Sequence, residues 1–179
     1  GVQGRRHLEV ALSEHPDIEE VVVFDRSQDA AEVLTSMAGD RATRIASSPT
    51  DAVDGATIAI TTITVPLDPK LDCRNTDENA LLLPVDYDDA MATVAFHEAV
   101  TYSVDDLGQY GSVAGRKYFF DFPEPVTHLA QVVAGEFEVP ENGRRMFLNM
   151  GIAMNDIALS SLVLDRALER GVGTTVEFP

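Results

Sequence analysis

Cysteine, lysine and tryptophan are scarce in this chain of 179 residues, which has one Cys and no Trp. A single cysteine, Cys73, excludes an intrachain disulfide and a zinc site built from cysteines. Lysine occurs only at Lys70 and Lys117, and 13 Lys and Arg against 30 Asp and Glu leave a net charge of −17. No basic stripe exists to neutralise phosphates, which argues against nucleic acid as a partner. The same balance disfavours an anionic membrane surface. Long apolar runs are missing too: nothing approaches the roughly eighteen apolar residues of a membrane span. No signal-peptide-like apolar stretch opens the sequence, so the cytoplasm is the expected compartment. The histidines, His7, His15, His97 and His128, lack metal-ligand spacing, and no metal is expected. The acidic surface accounts for solubility and identifies no substrate.

What is present reads as an α/β protein. Apolar residues make up 45% of the chain, ordinary for a soluble domain with one core. Gly1-Val2-Gln3-Gly4-Arg5-Arg6-His7-Leu8 reads as the second half of a G-x-G-x-x-G dinucleotide fingerprint, with Gly1 and Gly4 as its second and third glycines. So short a match is also what an ordinary turn before a helix looks like. Its context raises it: Leu8, Ala11 and Leu12 share a helical face, and Ile18 to Phe24 is a β-branched strand ending in Asp25. An acid at a strand end about twenty residues past the third glycine is where such folds bind the ribose 2′-hydroxyl.

Further along, helix and strand patterns alternate. The spacing predicts a helix over 28–38, strands over 42–46, 56–62 and 79–85, a helix over 88–96 and a strand over 99–104. Residues 107–126 read as an irregular connection, and Thr127 as the cap of a helix through Ala134. Met146, Phe147, Met150, Ala153, Ile157, Leu164 and Leu168 recur at helical spacing, predicting one long helix over 144–170, about 40 Å at 1.5 Å per residue. Thr174 to Phe178 reads as a final strand. In a doubly wound sheet the strand before the glycine turn is central. None precedes it here, so the strands at 18–24 and 56–62 are expected to flank a slot that only a strand from outside residues 1–179 fills.

Gly1-Val2-Gln3-Gly4-Arg5, the strand Ala56-Thr57-Ile58-Ala59-Ile60-Thr61-Thr62 and the segment Asn149-Met150-Gly151-Ile152-Ala153-Met154-Asn155-Asp156-Ile157 resemble, in order, the motifs of the ornithine cyclodeaminase/mu-crystallin family. The family motifs are G-x-G-x-Q-(A/G), A-D-I-V-x-T-(A/T)-T and (L/V)-G-x-A-x-x-D. The resemblance implies a Rossmann-type doubly wound parallel sheet, here lacking its first strand, with a long C-terminal helix leading to a second, dimerisation and substrate domain. Residues 1–145 would be the NAD(P)-binding part and 146–179 the returning helix and strand. It implies a homodimer when full length.

The chemistry implied is nicotinamide-dependent oxidation of an amino acid, or reduction of its imine, as in amino-acid dehydrogenases, ketimine reductases and cyclodeaminases. Asp86 matches the family's proton-transferring aspartate, although a carboxylate there would also serve as the cap of the next helix. Tyr87-Asp88-Asp89 stands where cyclodeaminases carry Pro-Gly-Lys, which puts ornithine in doubt. The basic residues that hold the substrate carboxylate in the family lie upstream of the glycine turn and are absent here, so residues 1–179 alone are expected to be inactive. Gly1, Val2, Gln3, Gly4, Asp25, Arg26, Thr61, Thr62, Ile63, Met150 and Gly151 are the implied cofactor contacts. Asp25 favours NAD, whereas Arg26 and Ser27 would favour NADP if Asp25 turned away. Asp156 is expected to brace a loop backbone, and Met150 and Met154 to pack in the core. A non-catalytic, crystallin-like module that binds a nucleotide or small molecule is the alternative, and an unrelated α/β protein with an accidental glycine turn is a third.

Overall fold

Every strand pairing in the computed structural model, which describes residues 1–177, is parallel. Helix α1 (Val2–Glu14) leads to β1 (Glu20–Val23), α2 (Gln28–Ser36) and β2 (Ala42–Ile45). Then come α3 (Pro49–Val53), β3 (Ile58–Thr61), β4 (Leu81–Pro84), α4 (Thr93–Glu98) and β5 (Thr101–Val104). The chain continues through α5 (Leu107–Val113), β6 (Thr127–His128), α6 (Leu129–Val133), β7 (Arg145–Leu148) and α7 (Ala153–Arg170). β1 pairs with β2, and β3-β4-β7-β5-β6 form a five-stranded sheet. Parallel strands covered by helices on both faces are near-continuously apolar. Here Leu82, Val104, Met146 and Leu148 have no solvent exposure or almost none, and they pack with Phe96, Met91 and Tyr102 in the main core. A smaller core joins Val21 and Val23 to Ala31 and Leu34, with Leu8 and Leu12 of α1 packed on it.

Several expectations need correction. The apolar run starting at residue 144 is two elements: Met146 and Leu148 point into the core from β7, inserted between β4 and β5, and the helix begins at Ala153. At 18 residues, α7 is about 27 Å long. A division of the chain at residue 145 would therefore cut β7 from its sheet. The connection after β5 contains α5, whose first turn is capped by the Asp106 carboxylate accepting from the Gln109 N–H at 2.7 Å. Thr127 lies in β6 and caps nothing; its hydroxyl donates to Gln131. Residues 88–92 are not helical, because Leu71 bridges to the fully buried Met91. Thr174 to Glu177 form no strand, and Phe178 lies outside the described residues. Met150 does pack on the main core, but Met154 is 70% exposed. Asp156, in the first turn of α7, braces no loop among the described hydrogen bonds.

β1 and β3 do not pair with each other, as expected for strands on either side of a central position. A cleft of about 820 Å³ lies between them, lined by Val21, Val22, Val23, Ile58 and Ile60. Glu19 and Val23 carbonyls accept from β2, and Thr57 and Thr61 carbonyls accept from the β4 segment. In a parallel ladder, alternate residues turn both backbone groups to the same side. Val22, Ile58 and Ile60 therefore aim their N–H and C=O groups into the cleft. Unpaired groups on an apolar wall are costly, and a parallel strand between β1 and β3 would satisfy both edges. In the intact protein the Val22, Ile58 and Ile60 amides should exchange with deuterium as slowly as those of β5. Rapid exchange at all three, with β5 protected, would show that no strand enters.

Candidate functional site

Because all strands run the same way, their carboxyl ends share one edge, where open α/β sheets bind their ligands. Asp25 follows β1, Thr62 and Ile63 follow β3, Asp86 follows β4, Asp105 follows β5 and Asn149 to Gly151 follow β7.

Gly1, Gly4, Asp25, Arg26, Thr61, Thr62 and Ile63 all line the cleft. Val2 and Gln3 belong to the first turn of α1 and are exposed, outside that lining. Gly1 occupies the N-cap position and has no side chain with which to cap α1, so first-turn N–H groups are available at the positive end of the helix dipole. A Cβ at Gly4 would come within 3.2 Å of Thr62 Oγ1, so this helix start approaches the end of β3 more closely than most side chains permit. Asp25 Oδ1 accepts from the Ser27 N–H at 2.9 Å, and Oδ2 lies 3.9 Å from the Gly1 nitrogen. The glycine turn and the acid are thus brought together. Ser27 caps α2 through its hydroxyl, and Arg26 is exposed.

Asp86 is almost wholly buried. Its Oδ1 accepts from the Thr61 hydroxyl at 3.1 Å and its Oδ2 from the Ile63 N–H at 2.9 Å. Both donors belong to the end of the neighbouring strand, and α4 starts instead at the N-cap Ala92, so Asp86 is not a helix cap. Burial pushes its carboxyl above the usual range; the two hydrogen bonds pull the other way, and the nearby Asp89 charge adds to the rise. Tyr87, next in the chain, sits at φ 59°, uncommon for an aromatic residue. Its ring lies parallel to that of Phe119 at 5.8 Å, and the Asp88 carboxylate accepts from the Phe119 N–H.

Met150 and Gly151 lie apart from the cleft lining, in the turn after β7. The Asn149 N–H donates to the Pro84 carbonyl at 3.0 Å, tying this turn to the strand that carries Asp86. Its other side is held by Asp105, just past the strand predicted over 99–104 and not singled out by the sequence. The adjacent acids Asp105-Asp106 were the available signal, but nothing in the sequence assigns one to a helix cap and the other inward. Among the described residues, no group of His, Cys, Asp or Glu is arranged to hold a metal. No described helix is long and apolar enough to cross a membrane.

A parallel sheet with a glycine-led helix start and an acid at the next strand end has the arrangement of a Rossmann-type fold. Residues 1–171 match the ornithine cyclodeaminase/mu-crystallin family, and the chain belongs to it. It is 25% identical to the nodulation efficiency protein NfeD of Rhizobium meliloti over 99% of this chain and 57% of that protein. It is 27% identical to the Δ1-pyrroline-2-carboxylate reductase of Bacillus cereus over 90% of this chain and 54% of that one. The chain thus spans little more than half the length of these curated relatives. Its fold is similar to that of the Thermococcus litoralis Δ1-pyrroline-2-carboxylate reductase in complex with NADH and L-proline, with a TM-score of 0.77 at 23% identity, covering 98% of this chain and 58% of that one.

The raised pKa of Asp86 has a consequence for stability. A carboxyl whose folded pKa exceeds its unfolded value of 3.8 binds the proton more tightly when folded. It therefore costs stability as pH rises from the unfolded pKa through the folded one. Asparagine can keep both contacts, accepting from Ile63 and donating to the Thr61 oxygen. Urea denaturation should show Asp86→Asn gaining on the unsubstituted protein as pH rises from about 4 to 8. A constant difference would mean the carboxyl is not perturbed by burial.

Proposed function

We propose that the protein is an NAD(H)-dependent oxidoreductase acting on an amino acid or its imine, with this chain as its cofactor-binding part. The observation that carries this reading is the buried Asp86 carboxyl, held above its ordinary pKa at the sheet edge beside Thr61 and Ile63. Such a group suits proton transfer near neutral pH. Family membership supports the reaction class. The reductase among its curated relatives favours a compact cyclic imine over ornithine, as does Tyr87-Asp88-Asp89 in place of Pro-Gly-Lys.

The residues present fit a dinucleotide. Gly4 lets the start of α1 pack closely on the end of β3, and open space at Gly1, with no atom within 4 Å of a Cβ there, leaves room for a pyrophosphate at the uncapped helix start. Asp25 keeps Oδ2 on the cleft side for a ribose diol, and its charge repels a 2′-phosphate. We therefore favour NAD over NADP. Bound there, NADH supplies the hydride that reduces the imine carbon. Asp86 would supply the accompanying proton, with the Thr61 hydroxyl in contact with it.

The second part of the reading concerns α7. Ile157, Leu164 and Leu168 lie along one side and Leu162 and Val163 along another, all largely exposed. We take residues beyond Gly151 as belonging to a dimerisation and substrate domain, with α7 covered on both sides.

Two substitutions in the intact protein test the chemistry. Asp25→Ala should weaken NADH binding far more than NADPH binding, and equal losses would remove Asp25 from ribose recognition. Asp86→Asn should leave NADH affinity unchanged while lowering kcat by about 10²-fold or more. Near-normal turnover would reduce Asp86 to a tie between two strand ends.

A further inference from the structure

One buried carboxylate at the same edge takes no part in the chemistry just described. Asp105 is 5% exposed. Its Oδ2 accepts two backbone hydrogen bonds, from the Met150 N–H at 2.5 Å and the Gly151 N–H at 2.7 Å. The Gly151 carbonyl in turn accepts from Gln109 Nε2 at 2.9 Å, and Gln109 belongs to the helix capped by Asp106. The neighbouring Asn149 N–H is engaged by Pro84 on the other side. The turn after β7 is therefore gripped from both flanks, with β5 and α5 on one and the end of β4 on the other. Gly151 reaches its place at φ 76°, a conformation in which a glycine meets no steric penalty.

Ionised acceptors hold N–H donors about twice as strongly as neutral ones. Two such bonds on one oxygen, shielded from water, fix the backbone direction of the turn rather than merely filling space. Burial raises the Asp105 carboxyl, and the same two N–H groups oppose that rise. The two N–H groups favour the carboxylate, against the burial and the adjacent Asp106 charge that favour the neutral acid.

A dinucleotide spans the switch point of a doubly wound sheet, with its adenosine half on one side and its nicotinamide half on the other. Asp25 lies on the β1 side. The Met150–Gly151 turn lies on the opposite side, beyond Asp86, because β7 follows β4 in the sheet. We infer that Asp105 is a positioning residue that holds the Met150–Gly151 backbone in place for the nicotinamide half of the cofactor, without touching the adenosine half. This inference rests on the proposed NAD(H) site.

The test compares NADH with ADP-ribose, which lacks the nicotinamide, by calorimetric titration of the intact protein. Asp105→Ala should weaken NADH binding by about tenfold and leave ADP-ribose affinity within about twofold. Asp105→Asn retains one carbonyl acceptor and should show the same split at smaller size; it stands as the test if the alanine variant fails to fold. Parallel losses for both ligands would mean that Asp105 only supports the fold, and no loss for either would mean that the turn does not serve the cofactor. Both results overturn the inference and leave the proposed NAD(H) site intact, because unsubstituted protein still binds both ligands. Failure of unsubstituted protein to bind either ligand would remove the site itself, and the inference with it.

Discussion

Parallel pairing throughout the sheet puts every strand's carboxyl end on one edge, and the rest of the site depends on that shared direction. Backbone groups at strand ends no longer belong to a ladder and need other partners. Here two of those needs are met by carboxylates. Asp86 takes the Ile63 N–H just past β3, and Asp105 takes the Met150 and Gly151 N–H groups just past β7. Each acid thus reaches across to the end of an adjacent strand. The insertion of β7 between β4 and β5 makes this possible, because it sets the Asn149–Gly151 turn between the two acids.

The two carboxylates are alike in burial but differ in what holds them. Asp105 has two backbone donors on one oxygen, which offset part of the cost of burying its charge. Asp86 has one backbone donor and one hydroxyl, and the hydroxyl can turn from donor to acceptor. A rotation at Thr61 therefore accommodates a proton on Oδ1 of Asp86, whereas both N–H groups on Asp105 bind Oδ2, so a proton there would go to Oδ1. Burial pushes both carboxyls above the usual range and their hydrogen bonds oppose it, so the two acids differ in how freely their donors can turn, not in the direction of the shift.

How far the sequence was legible follows from the kind of signal each element leaves. Strands β1, β3 and β4 are β-branched or apolar runs bounded by turn residues, and their existence and order were readable to within a few residues. The slot between β1 and β3 followed from the glycine turn alone. Asp25 was singled out because it ends such a strand and Asp86 because it matches the family's aspartate, and both lie at the shared carboxyl edge. β7 was not: Met146, Phe147, Met150 and Ala153 fit a helical period as well as a strand, and a short apolar run cannot be resolved by periodicity. α5 was hidden by Gly108 and Gly111, which lower helix propensity, although the Asp106 cap was a usable start signal. Asp105 was beyond reach, since its partners lie 45 and 46 residues away in the chain.

The boundary between the two apolar environments of this chain falls at Gly151. Before it, apolar side chains are matched by helices on the sheet faces; after it, α7 carries no buried residue among those described. A helix with large apolar side chains on more than one face is built to sit between layers rather than on a surface. Its direction of departure is set by the turn that precedes it, and that turn is gripped by Asp105, Gln109 and Pro84. The same contacts that fix the backbone beside Asp86 therefore also fix where α7 points. Any domain packed on α7 would thereby be held in register with the sheet edge that carries Asp86 and Asp105.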